Sequence, residues 1–146
     1  MRTLLSLVIL VGLAGAEPPA DAVKKDLALL EGEWAMVSGE RDGQALPEEY
    51  VKTGKRVARD SVSTVTIGDM VILKSKFTID PAKKPKAIDL VSLEGPTTGQ
   101  KLHGIYELDG ETVRICFASA DKDRPTDFTT KEGSGRTLSV WKRVKK

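Results

Sequence analysis

The 146-residue chain contains one cysteine, one histidine and no asparagine. A single thiol excludes an intrachain disulfide. A single imidazole, His103, excludes histidine-rich metal sets, and no His-Glu-x-x-His, Gly-x-Ser-x-Gly or glycine-rich loop ahead of a helix occurs. Without asparagine there is no acceptor for N-linked sugar. Aromatic residues make up only 5%, so a filled core has to come from Val, Ile, Leu and Met. Charge of either sign is nearly cancelled: 23 Lys and Arg face 21 Asp and Glu, a net of +2, and the signs are interspersed. Neither nucleic acid nor an anionic surface is therefore expected as a partner. The longest apolar run, Thr3 to Leu13, is about half of what a membrane-spanning helix requires.

What is present begins with that run. Met1-Arg2 supplies a positive start, the apolar stretch follows, and Ala14-Gly15-Ala16 offers the small-x-small pattern of a cleavage site ahead of Glu17-Pro18-Pro19. Residues 1–16 read as a cleavable signal peptide, and the expected location is secreted or periplasmic. No cysteine lies near the cleavage point to carry lipid, so no stable membrane anchor is expected once the leader is removed.

Residues 17–26 read as a Pro- and Ala-rich lead-in, mobile to about residue 22, and the start of a short helix. From Asp21 to Leu30 the apolar positions Val23, Leu27 and Leu30 recur at spacings of four and three, with Asp21 as N-cap and Gly32 as stop. After Gly32 the period becomes two, through Trp34 and Met36, until Asp42-Gly43 marks a turn. Leu46 to Lys55 looks irregular or briefly helical. The remainder alternates β-branched runs with turn signals, the runs being Ser61–Ile67, Met70–Ile79, Ala87–Leu93, Lys101–Leu108, Thr112–Ala118, Thr126–Lys131 and Thr137–Arg143. Asp109-Gly110 is the strongest hairpin signal among them. With the Trp34 strand the count is eight, and the expected fold is all-β: an eight-stranded antiparallel barrel over residues 27–146 with a short N-terminal helix.

Few side chains in this pattern suggest chemistry. Asp121, Asp123, Asp127 and Glu132 match four positions of a calcium loop, but Pro125 and Thr126 occupy positions that need a ligand and a glycine. No catalytic residue, metal ligand or cofactor is expected. Cys116 reads as a small buried hydrophobe in a strand, and His103 as a surface or satisfied structural side chain. Gly32, Trp34 and Arg143 form a candidate barrel closure, in which a basic side chain from the last strand lies across the indole of the first. Asp89 is a carboxylate in a strand. With Ile88 and Leu90 inward it faces solvent, and with the alternation reversed it is an inward charge that needs a partner, for which Arg124 is the candidate. The pair is expected within salt-bridge or one-water distance at one end of the barrel, closing the interior or orienting a polar ligand group.

Leu30-Glu31-Gly32-Glu33-Trp34, Phe77-Thr78-Ile79-Asp80-Pro81, Lys84 to Leu90, Gly104 to Leu108, Ile115-Cys116, Arg124-Pro125 with Phe128, and Trp141-Lys142-Arg143 together resemble a planctomycete family of uncharacterised, exported lipocalin-like domains. The resemblance implies a lipocalin-like β-barrel and no defined activity. The function expected first is an exported binding module for one small, mostly apolar ligand. Its rivals are a structural or protein-interaction domain of the cell envelope with a packed interior and, more remotely, an enzyme acting on envelope material through Asp89 and Arg124.

Overall fold

The computed structural model describes residues 17–145; the signal-peptide reading falls on residues 1–16 and lies outside the described residues. The first element, α1 (Ala20–Leu30), starts within the expected lead-in. Pro19, not Asp21, is its N-cap, and no side chain caps it. Nine strands and one further helix follow: β1 (Gly32–Arg41), β2 (Gln44–Ala45), α2 (Glu48–Thr53), β3 (Gly54–Arg59), β4 (Val62–Ile67), β5 (Met70–Asp80), β6 (Lys86–Glu94), β7 (Lys101–Asp109), β8 (Thr112–Phe117) and β9 (Thr137–Arg143). Among the described residues no helix is long and apolar enough to cross a membrane.

All neighbouring strands are antiparallel, and β1 pairs with both β3 and β9, so eight strands close into a barrel while β2 adds a short ribbon to the end of β1. A register shift between Met36 and Ser38 reverses the inside-outside alternation, and Gly39, not Ser38, turns inward.

The expected barrel with its N-terminal helix is present, but two of its strands differ from the sequence reading. The chain Gly54–Arg59 is a full strand, whereas Thr126–Lys131 is not a strand. In the latter segment the Asp127 carboxylate accepts from the Thr129 backbone N–H at 3.2 Å, and the Thr130 hydroxyl accepts from the Gly43 N–H at 3.2 Å and donates to Glu40. Those groups are satisfied by side chains, and no ladder forms.

The segment between β8 and β9 instead folds over the outside of the wall. Ile105 and Cys116 are register partners on the outer face, yet both are fully buried. Phe128 from this segment lies under the outward-facing Arg114, whose guanidinium is 3.9 Å from the ring centroid. Burial pushes the Cys116 thiol up from its ordinary value. Inside the barrel, Trp34, Ile88, Tyr106, Val113, Ile115 and Trp141 are each at most 2% exposed, and α1 adds Leu30 to the same cluster. The helix therefore closes one end of the barrel.

Candidate functional site

Away from α1 the interior is less completely filled. A cavity of about 120 Å³ is bounded by Val65, Phe77, Ile88, Leu90 and Trp141, with Met36, Leu46, Ile72 and Leu73 on its margin. The margin lies where β1 and β3 separate, since their pairing ends at Ala35 and Lys55. Leu46 fills that gap by packing onto Gly39: a Cβ on Gly39 would stand 2.4 Å from Leu46 Cδ1. The half-buried Met36, Leu46, Ile72 and Leu73 form an apolar mouth.

Three buried polar side chains also face this space: Arg56, Ser63 and Ser75, at 5%, 3% and 2% exposure. Arg56 comes from β3, in register between Trp34 of β1 and Val65 of β4, neither of which can neutralise a charge. Among the described residues no acidic side chain lines the cavity. Desolvation alone moves Arg56, lowering it to about 10, with no carboxylate or hydrogen bond acting against it. At neutral pH it remains a cation. Arg56 lines the cavity, and among the described residues no side-chain nitrogen is sealed from space without a partner. Most buried charges are paired, whereas among the described residues Arg56 is in no salt bridge.

The residues of the candidate closure lie together at the α1 end. Trp34 pairs in register with Arg143, whose guanidinium carbon sits 4.2 Å from the indole centroid. Arg143 Nη1 donates to Glu31 O at 2.7 Å, and Nη2 donates to Leu29 O. Helix α1 has no basic residue in its own last turn, so Arg143 supplies the cation that its C-terminal carbonyls favour. Gly32 is required by the same contact: its φ is +114°, and a Cβ there would stand 3.0 Å from Arg143 Nη1.

Asp89 and Arg124 also meet, but on the outer wall, not at a barrel end. Ile88 and Leu90 point inward at 1% and 4% exposure, which turns Asp89 outward. Arg124 Nη2 donates to Asp89 Oδ1 at 2.7 Å, and His103 Nδ1 stands 2.6 Å from the same oxygen. Arg124 Nη1 donates to the carbonyls of Ile88 and Gly104 at 3.2 and 2.8 Å. The pair pins the segment after β8 to the wall and neither closes nor lines the cavity.

Partial burial raises the Asp89 carboxyl, but hydrogen bonds from His103 and Arg124, together with their charges, outweigh it and hold the group below its ordinary value. A depressed carboxylate stabilises the fold above the unfolded value of about 3.9, and that contribution is lost as pH falls through the lower native value. With the Asp89 side chain 45% exposed, the coupling to Arg124 is expected to be about 0.5–1 kcal/mol at neutral pH. A double-mutant cycle of Asp89→Asn and Arg124→Gln by urea denaturation, repeated below pH 4 where the coupling should shrink, measures it. A coupling that grows in acid contradicts this sign.

Sequence reading missed two of the residues that organise the interior and its closed end. Arg56 falls between the irregular stretch Leu46 to Lys55 and the run that begins at Ser61, where the sequence assigns no element. Asp26, on α1, is 4% exposed and accepts from Lys86 Nζ at 2.9 Å and from the Tyr106 hydroxyl at 2.7 Å. Burial, reinforced by the bond to Asp26, pushes the Tyr106 phenol far up. Its sequence signal was available: Asp26 lies three after Val23 and four before Leu30, on the apolar face of the helix.

Among the described residues, no group of three or more His, Cys, Asp or Glu side chains is placed to hold a metal ion. Compared with known proteins, the chain matches no family model, no curated protein and no solved structure.

Proposed function

We propose that the protein is an exported β-barrel binding module that takes one small, mostly apolar molecule into the barrel interior. The observation that supports this most is the cavity of about 120 Å³ with its apolar mouth at Leu46 and Leu73. Pockets for drug-sized ligands run to roughly 300–1,000 Å³, so the occupant is small, comparable in volume to about four water molecules. The export part of the reading rests on the leader pattern of residues 1–16, and kinship with the planctomycete family rests on the motifs between Leu30 and Arg143. The small volume also favours a second reading, a packed barrel with a structural or protein-binding role.

Native mass spectrometry of protein recovered from outside the cytoplasm addresses both parts. The expected mass is that of a chain beginning at Glu17 and carrying a small adduct that is lost on collisional activation. An intact Met1 on a cytoplasmic product ends the export reading. A bare chain whose tryptophan fluorescence ignores added small apolar compounds leaves the packed barrel.

A further inference from the structure

We infer that the molecule this interior takes is an anion: a small monocarboxylate whose carboxylate pairs with Arg56 while its hydrocarbon part points toward the mouth. This rests on the binding-module reading and specifies its ligand. Arg56 is 5% exposed, and among the described residues it has no salt-bridge partner within the cavity lining, which contains no Asp or Glu. A protein that keeps such a charge inside apolar walls without its own counter-ion is suited to accept one from outside.

The chemistry of the lining narrows the class. A guanidinium presents a planar fork that matches a carboxylate with two parallel hydrogen bonds. One cation neutralises one negative charge. A phosphate monoester carries up to two, and the lining offers no second cation. The remaining polar atoms are hydroxyls. Ser63 and Ser75 face the same space, and Ser139 accepts from Trp141 Nε1 at 2.8 Å, which leaves its own O–H free to donate. The other walls, including Val65, Phe77 and Leu90, suit an alkyl chain and offer an ammonium or a sugar nothing. A molecule longer than the cavity can leave its tail between Leu46, Ile72 and Leu73.

The test compares one chain with three head groups: hexanoate, 1-hexanol and hexylammonium, titrated into the mature protein by calorimetry at neutral pH, with tryptophan fluorescence as a second readout. Hexanoate is expected to bind at least about tenfold more tightly than 1-hexanol, and hexylammonium not measurably, because only the carboxylate satisfies the buried cation. In Arg56→Met the hexanoate advantage should disappear while 1-hexanol binds within about twofold of its original strength, since the apolar walls are unchanged. The unliganded Arg56→Met protein should also melt at a higher temperature, because an unpaired buried charge is gone. Arg56→Lys, which keeps the charge and loses the fork, should fall between the two.

Equal binding of hexanoate and 1-hexanol by the unmodified protein, a comparison that needs no variant to fold, overturns the carboxylate proposal and leaves the binding-module reading standing. So does an Arg56→Met protein that still prefers hexanoate. Failure of both probes to bind ends both.

Discussion

Replacing Trp34 with alanine should destabilise the protein by about 3–5 kcal/mol, the range for deleting a large aromatic side chain from a core. Trp34 is 1% exposed, and its removal does more than open a void. Its Nε1 donates to Leu30 O at 3.0 Å, which fastens the last residue of α1 to the first strand. Arg143 lies over the indole with its guanidinium carbon 4.2 Å from the ring centroid, and donates to the carbonyls of Leu29 and Glu31. Without the indole, the helix end and the last strand lose their common surface. Arg143→Ala should lose less, about 1–2 kcal/mol, because the cation–π contact is partly exposed and its carbonyl partners can turn to water. Urea denaturation of both single variants and the double variant checks this, with the double expected to fall short of the sum. Negligible losses at both sites would show that the helix end and the seam between β1 and β9 are held by other contacts.

A comparable loss, about 3 kcal/mol, is expected for Asp26→Ala. Breaking a buried ion pair by removing one member costs roughly 3–5 kcal/mol when the other charge is stranded. Here Lys86 is 40% exposed and can return to solvent, so the lower part of that range applies. The larger part of the effect belongs to Tyr106: its hydroxyl, buried with a side chain 1% exposed overall, loses its acceptor. Asp26→Asn keeps an amide oxygen for that hydroxyl and should lose about 1–2 kcal/mol. Tyr106→Phe should lessen the penalty of Asp26→Ala when the two are combined, because the stranded hydroxyl is then absent. Thermal and urea unfolding of the three variants test the order. An Asp26→Asn variant as unstable as Asp26→Ala would show that the charge, and not the hydrogen bond, holds α1 in place.

The legible parts of the fold are those where one local signal had one meaning. Asp109-Gly110 joins β7 to β8 as a hairpin, with Gly110 at φ +58°. Gly32, Trp34 and Arg143 could be set side by side from their positions in the first and last strands once the barrel was taken as closed. Strand β3 was illegible for the reason that makes it important. In Lys55-Arg56-Val57-Ala58-Arg59 a charge occupies an inward position, so the apolar alternation that identifies a strand is broken at Arg56. Its turn was hidden as well, because Asp60 and Ser61 take positive φ of 51° and 64° with no glycine to announce it. Thr126–Lys131 misled in the opposite direction: its β-branched residues and Phe128 have the composition of a strand, but they serve a segment that covers the outer wall. Asp89 and Arg124 were matched correctly as neighbours and misplaced in space, since Ile88 and Leu90 take the inward positions.

The closed circuit of strands has a last consequence, for what the barrel can join. In an open sheet the outermost strands offer unpaired N–H and C=O groups, the template on which foreign strands add and aggregates grow. Here β9 is flanked by β8 and β1, and β1 by β9 on one side and by β3 and then β2 on the other, so the free margins among the described residues are short, the two-residue β2 and the stretch of β1 past Ala35 where β3 has separated being examples. Strand addition therefore has little edge to use, and a protein partner is left chiefly the turns and the outer face, met by side-chain contact. The same closure protects the protein from edge-to-edge self-association.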